Sequence, residues 1–561
     1  MTPRALLTTA TFAAAAAVVV ILPGDRVRGQ APSPTYIIAT SQPTAVGRTS
    51  TTPSASTLQL RAVDDQVTRL VLAGELRSER LDIDIGSPGT RHERFSQQHR
   101  GVKVFGGDVV RQRTGAGTMV SAFGVVYPDI DIDTTPVISE TDATVLMSRA
   151  GAGRPFVDAG TELFVLPRDG RYALAWSTRV VSDRDGHIHR IFIDAITGNE
   201  LYRYDDTQTQ TTLTPPLPLT TGRGLGAAGD GVKLAVQRVG DVYRAVDFVL
   251  PGQNTTYDLK GDAARAQNIL NGLAVINDGD IAQDDDNNWG DTAIASAHSY
   301  ASLTYLYFFD KHGRRGINNN NLKLRLIANP ARLSDFAALN GQYPLFFANA
   351  AYYGNGYIAF GVGSPGNRNF AAGLDVVAHE ITHGVTGFSS GLIYQGQSGA
   401  LNESFSDMMG VAVEFEYQQQ GVGLARAEWL QGEDIRISGN GLRNFAVPTQ
   451  LNHPDHWTLF VNTSADNGGV HTNSSIMNHV FYLAIQGGTH RLSGQRVEGV
   501  GLANRLQIER AVYRAFTSML PAGATFSMAR SATIQAARDL YGSGSAAERA
   551  LMQAWDAVGV Q

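Results

Sequence analysis

His379-Glu380-Ile381-Thr382-His383 places two imidazoles four positions apart, inside the apolar run Val376-Val377-Ala378 and its continuation to Gly384. On an α-helix, positions i and i+4 lie about 40° apart around the axis and about 6 Å apart along it. The two rings then project side by side and can share one small cation. Glu380 lies about 100° round from His379, so it flanks that cation and does not ligate it. Two histidines with such a carboxylate between them are the arrangement of a zinc hydrolase, the glutamate acting as general base.

A catalytic zinc takes three protein ligands and keeps one position open. Downstream, Asn402-Glu403-Ser404-Phe405-Ser406-Asp407 carries a helical apolar pattern. Glu403 suits the third ligand. Asp407, one turn later, can reach a ligand imidazole and fix its tautomer, with Asn402 as its companion behind the ligands.

These residues need a scaffold, and the chain supplies one in blocks. Its 561 residues exceed one domain, and its net charge of −6 gives no electrostatic footprint for nucleic acid. There is no cysteine, so neither disulfides nor thiol chemistry contribute, and bound calcium is the natural staple for an exported protein. Arg4 followed by an apolar run from Ala5 to Leu22 reads as a secretory signal, assigned here to residues 1–30. A Ser/Thr/Pro-rich linker precedes a β-rich block with a helix or two. In it, Arg91–His99 and Val102 onward form two strands joined by a Gly-containing turn, Leu163–Leu166 pairs with Tyr172–Trp176, and Ile191–Ala195 runs into a turn at Thr197-Gly198.

A polar, Pro-containing stretch after Tyr204 reads as a boundary and a proteolytic nick site. Beyond it come short strands and an aromatic helical segment at Ala293–Phe309. From Leu374 the pattern is helical: Ala400–Tyr417, Ser475–Ala484, Leu502–Leu520, Ser527–Leu540 and Ala546–Ala557 carry apolar residues at three-to-four spacing. Pro521 and Gly542 stand where helices should stop.

His379-Glu380-x-x-His383 with Asn402-Glu403-x-x-Ser406-Asp407 resembles the thermolysin-like metallopeptidases. Further matches are Asn349-Ala350, Gly391-Leu392-Ile393-Tyr394-Gln395, Leu442-Arg443, Asp466-Asn467-Gly468-Gly469-Val470-His471, and Asp539-Leu540-Tyr541-Gly542. The block before the linker is similar to that family's propeptide in its His92–Val110 and Leu163–Leu201 portions. The resemblance implies an α+β fold: a thermolysin-like two-lobed catalytic domain, β-rich over 211–373 and helical over 374–561, preceded by a β-rich propeptide over 31–210.

For the site, the resemblance implies one catalytic zinc on His379, His383 and Glu403, with Glu380 as base. His471 and Tyr394 would be oxyanion donors, and Asp466 would orient His471. Asn349 and the Ala350 backbone would bind substrate main chain, and Arg443 a substrate carbonyl. Phe370, Val376 and Leu442 would line a primed-side pocket for large apolar residues; Asn367 stands where the family commonly has phenylalanine. Structural calcium would take Asp375, Glu414, Glu428 and Glu433. Asp284, Asp286 and Asn288 alternate in a loop, a spacing that suits another calcium or a solvated acidic turn equally.

The partners implied are protein and peptide substrates and the chain's own propeptide, with no nucleic acid and no stable membrane association after processing. Two other readings are weighed against this one: a zinc-free scaffold that keeps the fold without catalysis, and a zinc exopeptidase. Every residue the chemistry requires is present against the first, and no feature closes the cleft for the second.

Overall fold

The computed structural model describes residues 34–40, 57–84, 89–155, 160–168, 170–183, 188–206, 219–421 and 425–561. The expected signal segment and nearly all of the nick-site linker lie outside the described residues.

Residues 34–206 build a ten-stranded sheet with the helices Thr57–Leu72 and Glu140–Ala150 packed on it. The hairpin Arg91–His99/Val102–Arg113 turns at Arg100 and Gly101, both with positive φ (48° and 83°), the backbone twist that suits a two-residue hairpin. Val102–Arg113 then pairs in parallel with Glu162–Arg168 through Lys103↔Phe164 and Val104↔Val165, joining the two halves of the sheet. Its far edge is Glu200–Asp205, antiparallel to Ile188–Asp194.

The next block holds two smaller sheets against a central helix. That helix, Thr292–His312, is buried on most sides, started by the Asp291 carboxylate (3.0 Å to the amides of Ala293 and Ile294) and ended by Gly313 in the left-handed region. In the four-stranded sheet the order is Thr255–Tyr257, Arg325–Ile327, Tyr357–Phe360, Ala350–Gly354. The last strand is therefore an edge.

The remainder is helical: Leu374–Gly387, Gly396–Tyr417, Asp466–Gln486, Arg505–Arg514, Phe526–Tyr541 and Ala546–Ala557. Two expectations are corrected. The helix expected over Ser475–Ala484 opens at Asp466, although Asn467, Gly468 and Gly469 have non-helical, positive φ, so its regular part starts beside His471. The single helix expected over Leu502–Leu520 is three pieces: a short turn at Leu502–Asn504, the helix proper, and a π-turn at Ala515–Met519. Pro521 forces Leu520 out of the helical region (ψ 138°), and the Leu520 amide closes on Ala515 O at 3.0 Å.

The first block docks on this helical half. Phe123 and Val125 join the same buried cluster as Phe516 and Phe526. Arg94 Nη2 donates to Leu520 O at 3.1 Å, and Asp108 accepts from the Ala522 amide at 3.2 Å. Arg514 pairs with Asp84, which also lies 2.7 Å from His92 Nε2, and Gln112 donates to Asp539 at 3.0 Å. Among the described residues no helix is long and apolar enough to cross a membrane.

Candidate active site

The helix Leu374–Gly387 is buried over almost its whole length, and its i, i+4 geometry brings His379 Nε2 to 3.1 Å from His383 Nε2. Glu403, from Gly396–Tyr417, completes the trio: Oε2 is 3.5 Å from His379 Nε2 and Oε1 is 3.3 Å from His383 Nε2. Tetrahedral ligands on metal bonds of about 2.0–2.1 Å stand about 3.3 Å apart, so the three spacings fit one zinc. Glu403 Oε2 is buried without a hydrogen-bond partner, a carboxylate oxygen left for a cation. Burial opposes charge on His383, yet adjacent Glu403 lifts its pKa to about 9. The electrostatics therefore call for positive charge here.

The ligands are held from behind. His383 Nδ1 donates to Asn402 Oδ1 at 2.9 Å, and Asn402 Nδ2 is itself fixed on Leu392 O at 3.1 Å, so the lone pair of His383 Nε2 faces the trio. Asp407 Oδ1 stands 2.9 Å from His379 Nδ1. Arg443 Nε and Nη2 each reach Asp407 at 2.5 Å, with Asn478 Nδ2 at 2.7 Å. Arg443, expected on substrate, thus braces Asp407 while bordering the cleft.

Glu380 lies beside the trio, and its Oε2 accepts from the Tyr352 amide of the edge strand at 3.0 Å. Tyr394 donates its hydroxyl to Glu403 Oε1 and sits 3.3 Å from His471 Nε2. Burial and Glu403 raise its pKa, keeping it a donor. His471 is fixed by Asp466, whose Oδ1 is 2.6 Å from Nδ1 and whose Oδ2 accepts the His471 amide at 3.0 Å. Asp466 curls over because Asn467, Gly468 and Gly469 take left-handed backbone, which the two glycines adopt without a Cβ penalty. Burial disfavours the charged form of His471, but Glu403 and Asp466 outweigh it and raise its pKa.

These groups line one cleft of about 420 Å³, together with Asn349, Ala350, Phe370, Val376 and Leu442. Asn367 is absent from its lining; the side chain donates to Ser364 Oγ at 2.8 Å in a local turn. The lining also includes Gln431, 1% exposed, with Oε1 unpartnered. A polar amide in the apolar wall is a departure from the expected pocket. Asp205, from the first block, also lines the cleft.

A second cluster lies behind. Asp375, Glu414 and Glu433 are buried with ligand oxygens mutually within 4.8 Å, and neither oxygen of Glu414 or Glu433 has a hydrogen-bond partner. Burial and mutual repulsion push Asp375 up to about 7 and Glu433 up to about 10. Oxygen donors so placed fit calcium. Glu428 stands at the edge of this cluster: Arg426 Nε and Nη2 hold its carboxylate at 2.8 and 3.3 Å, and its charge contributes to raising Glu433 and Asp434. Asp434, not anticipated, adds a buried, unpartnered Oδ2 and a pKa raised to about 6 by burial and its acidic neighbours. Adjacency to Glu433 was its only signal.

In the third loop, Asp284 and Asp286 accept from the amides of Asp286 and Asn288 at 3.2 and 2.8 Å. Successive side-chain turns of this kind account for the alternation without an ion. Among the described histidines outside the site, His298 contacts Ala235 O at 2.7 Å, His479 contacts Phe445 O at 2.8 Å, and His312 stacks on Tyr513.

Residues 221–387 match the thermolysin metallopeptidase catalytic domain, residues 390–560 the thermolysin metallopeptidase alpha-helical domain, and residues 87–126 the fungalysin/thermolysin propeptide motif. The chain is 32% identical to Neutral protease B of Bacillus subtilis (strain 168), across 94% of this chain and 93% of that one. It is 31% identical to Thermolysin of Alicyclobacillus acidocaldarius subsp. acidocaldarius, across 90% of each. Among solved structures it is similar to the precursor of protealysin from Serratia proteamaculans, with 27% identity, 55% of this chain and 87% of that one covered, and a TM-score of 0.42. The chain belongs to the thermolysin metallopeptidase family and is a zinc metalloendopeptidase that carries the family's propeptide motif ahead of its catalytic halves.

Proposed function

We propose that the chain is the exported, self-inhibited zymogen of a neutral protease. In this reading residues 31–210 form the propeptide, 211–373 and 374–561 the two catalytic lobes, and 1–30 the signal. His379, His383 and Glu403 hold the zinc, and the observation carrying this is their three spacings of 3.1–3.5 Å around an unpartnered Glu403 oxygen.

Zinc bound there supplies Lewis acidity, polarising the scissile carbonyl and making water more acidic. The chain's own residues do the rest. Substrate main chain lies along the free edge of Ala350–Gly354, with Asn349 and Ala350 as its first contacts. Glu380, held by the Tyr352 amide, takes a proton from the attacking water and passes it to the leaving nitrogen. Tyr394 and His471 donate hydrogen bonds to the oxyanion as it forms, and Asp466 keeps His471 oriented and charged. Arg443 braces Asp407 and presents its remaining edge to a substrate carbonyl. Phe370, Val376, Leu442 and Gln431 receive the leaving-side residue, favouring large side chains. Calcium on Asp375, Glu414 and Glu433, with Asp434 beside them, supports the cleft from behind.

Casein and peptide hydrolysis by processed protein, with and without a zinc chelator, tests this. Activity lost on chelation and restored by zinc is expected. Chelator-insensitive hydrolysis, or none from correctly processed protein, refutes it. N-terminal sequencing of the active form should read a start near 205–215; active protein retaining residue 60 onward refutes the zymogen assignment.

A further inference from the structure

Asp539, in the segment Asp539-Leu540-Tyr541-Gly542, is not among the residues that line the catalytic cleft. It lies where the first block docks on the helical half. Its carboxylate accepts from Arg514 Nη2 at 3.0 Å and Gln535 Nε2 at 2.6 Å within that half, and from Gln112 Nε2 of the first block at 3.0 Å. Gln112 is held in turn by Ser121 Oγ, which donates to its Oε1 at 2.8 Å. Arg514 ends the helix Arg505–Arg514, is 5% exposed, and pairs with Asp84 as well as Asp539. Asp84 is 8% exposed and accepts from His92 Nε2 at 2.7 Å. Burial lowers the His92 pKa to about 4, so at neutral pH this imidazole gives a hydrogen bond and no charge. Arg514 then supplies positive charge against Asp84.

We infer that Asp84 is the residue by which the helical half recognises its own first block, and that its pairing with Arg514 holds the block in place after the linker is cut. This rests on the zymogen reading above. A buried charge is costly unless it is paired, and here each half buries a charge that the other compensates. When the halves part, Arg514 keeps Asp539, but Asp84 loses its guanidinium. A surface with no guanidinium at this point would leave the Asp84 carboxylate buried beside a neutral imidazole. Arg94 and Asp108 add attachment at Leu520 O and the Ala522 amide, but a carbonyl and an amide carry no information about side chains. The Asp84–Arg514 pair therefore makes the docking selective. Cutting alone does not free the cleft, and loss of this pair sets how fast the block leaves.

The test uses the full chain. After self-cutting in calcium, a zinc-selective chelator stops proteolysis while calcium stays in excess, and size exclusion at successive times reports how much first block remains bound. Wild type and Asp82→Asn, a more exposed change on the same strand, should release it at the same slow rate. Asp84→Asn keeps the shape and an acceptor for His92 but removes the charge facing Arg514, and should release the block at least about thirtyfold faster. Arg514→Gln should act similarly, and adding Asp84→Asn to it should not speed release further, because the two work through one contact. Hydrogen exchange in uncut Glu380→Gln chain gives a readout that needs no cutting. There Asp84→Asn should speed exchange of the Ala522 amide, bonded to Asp108 across the docking face, at least about tenfold, with the melting temperature reporting that the chain is folded. Release at the wild-type rate from Asp84→Asn, unchanged exchange at Ala522, or single effects that multiply in the double variant overturns the inference. A chain that neither cuts itself nor hydrolyses peptide after cutting by another protease overturns the protease reading instead. The exchange measurement then judges the pair alone, so the two failures are distinct.

Discussion

Removing calcium should make stability fall as pH rises, and the buried carboxylates set the sign. Asp375, Glu414 and Glu433 sit within 4.8 Å of one another, away from water, and burial raises all three pKa values in the ion-free protein. A carboxyl raised on folding holds its proton longer in the native state than in the unfolded chain. Between the unfolded and folded values the native state binds more protons, so unfolding free energy falls with increasing pH. The window runs from the ordinary carboxyl range near pH 4 up through about 7 for Asp375 and about 10 for Glu433.

Asp375 alone moves from 3.8 to about 7, and at about 1.4 kcal/mol per unit this costs on the order of 4 kcal/mol once it is charged without a cation. That is a large share of a typical total of about 5–15 kcal/mol. Bound calcium reverses the balance by replacing the protons. Melting of Glu380→Gln protein, zinc-saturated and unable to digest itself, should show a midpoint that drops steadily from pH 5 to 9 when calcium is chelated. With calcium saturating, the slope should largely vanish, and calcium added at pH 7 should release protons. Asp375→Ala should lower heat resistance in calcium far more than turnover at low temperature. A flat melting curve across pH 5–9 in chelator, calcium uptake without proton release, or an Asp375→Ala protein that loses turnover but keeps its stability would each refute this reasoning.

Glu380→Gln should keep one zinc per chain by elemental analysis while kcat falls at least about 10²–10⁴-fold, since the proton acceptor is lost and the ligands are intact. Loss of zinc with activity would show that Glu380 is structural. Asp466→Asn removes a carboxylate that raises the His471 pKa, so the alkaline limb of kcat/KM should move to lower pH; an unmoved limb separates Asp466 from that group. Gln431→Leu should tilt preference toward leucine over glutamine on the leaving side by about 1–3 kcal/mol in ratios of kcat/KM, and unchanged ratios would place Gln431 outside the specificity pocket.

The parts of the site legible in sequence are those whose geometry is local. His379 and His383 meet because one helix turn fixes them, and Asn402, Glu403, Ser406 and Asp407 share a helix face for the same reason. What escaped depends on which of several available partners a side chain or backbone group takes. Residue types alone do not say that Glu428 will pair with Arg426, two residues before it, at the edge of the carboxylate cluster. Nothing at Asn367 says that it closes a turn on Ser364, and nothing at Gln431 says that it lines the cleft. The apolar spacing of Leu502–Leu520 is helical throughout, but spacing does not register that Pro521 will convert the last turn to a π-turn, which leaves Leu520 O to accept Arg94 from the first block.

The two candidate metal clusters share their supports, which puts the calcium proposed above close to the chemistry. Asp375 opens the helix that carries His379 and His383, and Glu414 lies on the helix that carries Glu403 and Asp407. The helices approach closely where Gly410 meets Asp375 O: a Cβ there would stand 2.5 Å from that oxygen, so only glycine permits the approach. Buried acidic charge at this junction would push the helices apart, and the same cation that neutralises it draws them together. With calcium bound as proposed, the spacing of Glu403 from the two imidazoles is set partly by the carboxylate cluster one to three turns away. Glu433 and the Gly432 amide, which donates to Asp375, tie the following segment to the same junction. On the proposed function, stability and catalysis then separate by residue: Asp375 and Glu414 hold the frame, while Glu380 and His471, which line the cleft, act on substrate within it.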